Sequence, residues 1–143
     1  MNQWPVLPVM QCDRDCDLCC GPVLCSPSEF GRIRQYIERN TVQPLAQGLL
    51  TCPFYQGGQC AIYEVRPFTC RVFGHFANEH LQCPRGYNVN VTPEREYELE
   101  VEYQRRCGRP SSGRMLHEFV YSLDEIGEMA KEESKLPNWK AAC

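Results

Sequence analysis

Cys12-Asp13-Arg14-Asp15-Cys16-Asp17-Leu18-Cys19-Cys20-Gly21-Pro22 places four thiols within nine residues and ends in a Gly-Pro turn signal. A loop is expected here, and its spacing, Cys12-x3-Cys16-x2-Cys19-Cys20, is that of metal ligands. Close-spaced thiols are otherwise an oxidation hazard, and the tight spacing makes buried apolar cysteine a poor account of Cys16, Cys19 and Cys20. How this run is used decides the fold: the half of the chain that carries it is organised either by metal or by an ordinary core.

Working outward, Cys52, Cys60, Cys70 and Cys83 form a second group of four. Eight thiolates suffice for two tetrahedral zinc sites, two four-iron clusters, or one cluster with the remainder supporting it. A soft all-sulfur environment selects Zn, Fe-S or Cu(I) over Mg, Ca or Mn. Eleven of 143 residues are cysteine, and an odd count leaves one thiol over in any disulfide scheme within the chain. The start Met1-Asn2-Gln3-Trp4-Pro5 has neither a basic n-region nor a long apolar run, so a reducing, cytoplasmic setting is expected. A 43 % hydrophobic content allows a real core, and the length predicts one domain over 1–143: a metal-binding region at 12–86 and a helical region at 92–135. The formal charge of −3 cannot supply the long-range attraction to phosphate that non-specific nucleic-acid binding needs, and no apolar run approaches the roughly 20 residues of a bilayer span. Neither nucleic acid nor membrane is therefore expected as a partner.

The elements predict a small, mainly helical α+β fold. Ser26-Pro27-Ser28-Glu29 supplies a capping Ser, a Pro at the first helical position and a Glu three residues on, so a helix is expected to about Asn40 with Phe30, Ile33 and Ile37 on its apolar face. Residues 51–63 read as a hairpin around Gln56-Gly57-Gly58-Gln59, with Tyr55 opposite Cys60. Strict alternation would then put Cys52 and Cys60 on opposite faces. Arg66-Pro67 favours a short helix with Arg66 and Cys70 on one side. Thr92-Pro93-Glu94 starts another helix, although Tyr97, Leu99, Val101 and Tyr103 alternate as in a strand. Three-four spacing of Met115, Leu116, Phe119, Val120, Leu123, Ile126, Met129 and Ala130 predicts a long amphipathic helix from about Arg114 to Glu133.

The remaining candidates carry less. Cys25 suits a small apolar role as well as ligation, and Cys107 and Cys143 stand alone. His75, five residues past Cys70, is the best substitute ligand among the three histidines, with His80 and His117 reading as ordinary surface or core groups. Cys12-x3-Cys16-x2-Cys19 also matches the cluster motif of radical S-adenosylmethionine enzymes. The chain has neither the length nor the strand-helix alternation of their barrel.

Over about Cys12 to Gly86 the pattern resembles the YkgJ-type cysteine-cluster family of zinc- or iron-chelating domains. The resemblance rests on Cys16-x2-Cys19-Cys20, on Cys52-Pro53-Phe54, on the long segment Cys60-Ala61-Ile62-Tyr63-Glu64-Val65-Arg66-Pro67-Phe68-Thr69-Cys70-Arg71-Val72-Phe73, and on Cys83-Pro84. It implies Cys12, Cys16, Cys19, Cys20, Cys52, Cys60, Cys70 and Cys83 as metal ligands, with the gap before Cys16 one residue longer than usual. The related cysteine region of flagellin lysine methylases is thought to carry an iron-sulfur cluster, so the resemblance implies an iron-sulfur cluster in preference to zinc. In that setting Arg66 and Arg71 would offset the charge of the thiolates, and Tyr63 could donate its hydroxyl to a sulfur. Two functions follow as expectations. One is an iron-sulfur protein that transfers electrons or supports modification of a partner protein, and the other is a structural zinc module that binds one. No Ser/His/Asp or Cys/His grouping apart from the cluster indicates a catalytic residue, and no phosphate-binding Gly loop indicates a small-molecule substrate.

Overall fold

Ser26 begins the first helix as its capping box predicts. Its hydroxyl accepts the Glu29 N–H at 3.1 Å, and the Glu29 carboxylate accepts the Ser26 N–H at 3.0 Å. The computed structural model describes residues 4–12, 19–108 and 113–134. In it this helix, α1, spans Pro27–Arg39 with Phe30 and Ile33 buried. A two-residue strand β1 (Leu24–Cys25) precedes it. After it come the hairpin β2 (Tyr55–Gln56) and β3 (Gln59–Cys60), the one-turn helix α2 (Phe68–Val72), α3 (Pro93–Cys107), β4 (Arg114–Met115) and α4 (Leu123–Ser134). Tyr55 pairs with Cys60 as expected, and Gly57 and Gly58 adopt the positive φ that the turn requires. β1 pairs antiparallel with the distant β4, Leu24 opposite Met115, which clasps the C-terminal part of the chain against its beginning. The fold is small, α+β and mainly helical.

Two apolar clusters hold these pieces. Phe30, Ile33, Phe54, Ile62 and Leu116 form the first, with Phe119 stacked on Phe30 at 4.1 Å. Phe68, Val72, Phe76, Leu99 and Tyr103 form the second, with Phe68 stacked on Tyr103 at 4.3 Å. Glu29 joins them. Its carboxylate is 3 % exposed and accepts the Ser26 N–H, the Phe68 N–H at 2.6 Å and the Tyr103 hydroxyl, so one charge ties α1, the start of α2 and α3 together. A buried carboxylate needs such partners, because burying it bare would cost several kcal/mol.

Three expectations are corrected. The C-terminal helix begins at Leu123 and not near Arg114. Ser122 and Glu125 form a capping box of their own, and the residues before it are drawn into β4 and a 3₁₀ turn at Leu116–Phe119. Cys52 and Cys60 do not lie on opposite faces of a long hairpin. The strands last two residues each, and the chain turns at Cys52, whose C=O accepts the Tyr55 N–H at 3.1 Å. Arg66 lies outside α2 in extended backbone, because Pro67 caps the helix and keeps the residue before it out of helical space. The Pro93 segment is helical despite its alternation: Leu99 and Tyr103, four apart, are buried while Tyr97 and Val101 are exposed.

Candidate metal centre

The loop after Leu49 delivers Cys52 to the site. Its N–H donates to the Cys20 C=O at 2.7 Å, which fixes the end of the N-terminal cysteine run against the middle of the chain. Gln47 holds the other side, its amide donating to the Cys52 and Tyr55 carbonyls at 2.8 Å each. Behind this loop His117 is fully buried, with Nε2 at 2.9 Å from the Thr51 C=O, and the Gly48 N–H donates to the Tyr121 hydroxyl at 2.9 Å. Burial pushes the His117 pKa down, so the ring is neutral and acts as a strut behind Cys52.

The thiols of Cys19, Cys20, Cys52, Cys60 and Cys70 form one electrostatically connected group. Cys19 and Cys20 are hydrogen-bonded to each other through their side chains. Extended backbone would send these adjacent side chains apart, but Cys19 sits in a turn. The Cys20 thiol is pushed far up by that bond, by burial and by the negative charge its neighbours would carry if ionised. Burial drives Cys70 strongly upward and Cys52 up to about 11, and it raises Cys60. The backbone N–H groups of Phe54 and Tyr55 act against burial at Cys52, as the Ile62 N–H does at Cys60. Arg66 lowers both Cys60 and Cys70.

This donor set fits a soft metal. The sulfurs cannot all lose their protons side by side without a cation to offset the charge, and backbone N–H groups aimed at sulfur stabilise thiolates once they form. Among the described residues no group of three or more His, Cys, Asp or Glu side chains is placed so that it could hold a metal ion. The thiols are instead neighbours around Cys52.

The other predicted residues are placed as follows. Cys16 and Cys143 lie outside the described residues. Cys12 is half-buried, and Met10, two residues before it, packs on Gly74 beside Asn88, whose side-chain oxygen accepts the Cys83 N–H at 2.6 Å. The chain leading to Cys12 and the turn holding Cys83 thus meet at Gly74, where a Cβ would strike the Met10 sulfur. Arg66 lies flat on the Tyr63 ring, 3.7 Å from its centroid, with Nε donating to the Tyr63 C=O at 3.0 Å. Arg71 donates from Nε to the Arg66 C=O at 2.9 Å and from Nη2 to the Glu64 C=O at 2.7 Å. Cys25 proves structural. It is fully buried, its thiol donates to the Arg114 C=O, and burial pushes it up to about 12. His75 is buried with Nδ1 at 2.8 Å from the Val89 C=O, a bond that secures the loop before α3.

The sequence profile of a family described as "Putative zinc- or iron-chelating domain" matches residues 11–87, a span that takes in all eight cysteines expected to bind metal, and Cys25. No curated protein and no solved structure matches the chain. No helix among the described residues is long and apolar enough to cross a membrane.

Proposed function

Because the chain belongs to the CxxCxxCC family of zinc- or iron-chelating domains, we propose that the eight cysteines of its family pattern hold an iron-sulfur cluster that transfers electrons or supports modification of a partner protein. The observation that carries this reading is the group of five mutually acting thiols around Cys52. Five sulfurs exceed the four that one tetrahedral ion takes, which favours a polynuclear centre. Cys19, Cys20, Cys52, Cys60 and Cys70 would be ligands on this reading, with Cys12, Cys16 and Cys83 completing the set. Arg66 and Arg71 would offset the negative charge of the thiolates. An iron-sulfur cluster would supply one-electron chemistry, and the chain's own contribution would be the sulfur donors, their N–H partners and the two guanidinium groups that offset the charge.

A second reading, a structural zinc module that presents its helical half to a protein partner, draws on another observation. Between Arg39 and Pro93 the longest regular element is the five-residue α2, so this stretch has little but its side chains to hold it. Cross-linking by metal would organise it as in other small zinc modules. The test is anaerobic purification followed by iron, zinc and sulfide analysis, with absorption and Mössbauer or EPR spectra. Brown protein absorbing near about 400 nm with iron and acid-labile sulfide supports the first reading. Colourless protein holding about two zinc ions per chain supports the second.

A further inference from the structure

Between the first turns of α1, residues 64–68 and the end of α3, the surface is cut by a cleft of about 570 Å3, and among the described residues none of the cysteines expected to bind metal lines it. That volume lies within the range of small-molecule sites, about 300–1,000 Å3. Four arginines line it, Arg32, Arg66, Arg71 and Arg106, facing two glutamates, Glu29 and Glu64. The Glu29 carboxylate is already committed to three donors. Arg106 is paired with Glu102 at 2.7 Å and lies over the Trp4 ring. The other three have no carboxylate partner among the described residues: Arg66 and Arg71 bond only to backbone carbonyls, and Arg32 reaches the Cys107 sulfur at 4.0 Å.

We propose that this cleft binds a small oxyanion, a phosphate- or carboxylate-bearing molecule gripped by Arg32, Arg66 and Arg71. Each guanidinium is a planar fork that matches two oxygens of such a group. Bonds from Arg66 and Arg71 to the Tyr63, Arg66 and Glu64 carbonyls hold their guanidinium planes in place, so little side-chain freedom is left to lose on binding. The three cations repel one another, and Arg71 records this: burial and then the neighbouring Arg66 and Arg32 charges lower its pKa, outweighing Glu29 and Cys70, which act the other way. An anion between them turns that repulsion into attraction. The chain as a whole carries −3, so the cleft is a local reversal of sign and not part of a general basic surface. Arg66 and Arg71 also flank the thiols. Arg32 does not: it projects from α1 and its sulfur contact is with Cys107, outside the eight, so a charge-offsetting role for the metal centre leaves Arg32 unexplained.

Equilibrium dialysis of the 143-residue chain as purified, at low salt, against radiolabelled inorganic phosphate and against radiolabelled succinate, tests the proposal, with bound metal measured in the same samples. One site with a dissociation constant below about 1 mM for either probe is expected, the tighter probe naming the source of the oxyanion. Arg32→Gln should weaken it about tenfold or more with metal content unchanged, Arg32→Lys less so, and Arg39→Gln at the far end of α1 not at all. Failure of both probes to bind, or equal binding by wild type and Arg32→Gln, would overturn the proposal. Binding that disappears with the metal but is indifferent to Arg32→Gln would do so too, by placing the anion on the metal. Metal content that fails to match the proposed centre while Arg32-dependent binding persists bears on the function of the cysteines and leaves the cleft standing.

Discussion

At the scale of single residues, Glu29 does more than its capping box announces. The four-residue pattern from Ser26 to Glu29 accounts for one bond, to Oε1, and the distant Tyr103 hydroxyl and Phe68 N–H add one each, to Oε1 and Oε2. Glu29→Gln keeps the shape but turns an amide NH2 toward donors, and should cost about 2–4 kcal/mol in urea denaturation, against about 1–2 for Tyr103→Phe. Losses below about 0.5 kcal/mol in both would remove Glu29 from its central place. Arg66 gives a second test. Its planar group lies on Tyr63 and its charge reaches Cys60 and Cys70, so Arg66→Lys keeps the charge but loses both the stack and the Nε bond. Bound metal or the centre's reduction potential should change more in Arg66→Lys than in Arg105→Lys, whose parent arginine is exposed and paired with Glu102. Equal behaviour of the two variants would return Arg66 to the ordinary surface charges.

At the scale of elements, the helices were legible where a cap and an apolar face agreed, as in α1, or where a cap and a Pro at the first helical position outweighed a strand-like alternation, as in α3, and illegible where a cap interrupted a continuing apolar period. Ser122-Leu123-Asp124-Glu125 carries the same capping signature as Ser26 to Glu29, yet it lies inside a run of three-four spacing that reads through it. The two caps should differ in what they support. Ser26 is fully buried and bonded to Glu29 in both directions, so Ser26→Ala should lower global stability by about 1 kcal/mol, seen as a shift in the denaturation midpoint. Leu123 is exposed, and Ile126 is the apolar residue of α4 that is buried, so Ser122→Ala should speed amide exchange across Leu123–Ser134 while leaving the global midpoint nearly unchanged. A midpoint shift as large as that of Ser26→Ala would show that α4 unfolds with the rest.

At the scale of the whole molecule, acid and base should act on different states of the protein. Metal competes with protons for sulfur, so retained metal should fall as pH is lowered, measured after desalting. In the reduced, metal-free chain the sign reverses. Buried thiols hold their protons above the ordinary value of 9.0, Cys52 to about 11 and Cys25 to about 12, whereas the unfolded chain releases them near that ordinary value. Stability from these thiols is therefore full below about 9 and lost as pH climbs toward 11 and 12, so the midpoint of urea unfolding should drop over that window. A flat midpoint from pH 8 to 11 would mean that the thiols are not buried as described. The sequence by itself determined the caps of α1 and α3, the Tyr55 to Cys60 hairpin register, and membership of a metal-chelating family, because each rests on residues close along the chain or on a spacing pattern. Only the tertiary structure decided that Cys19 and Cys20 face the same group as Cys52, that Glu29 bonds three elements, and that Arg32 meets Arg66 and Arg71 across a cleft. These juxtapositions join residues tens of positions apart through loops and two-residue strands, whose directions depend on which apolar faces close over one another and leave no periodic mark in the sequence.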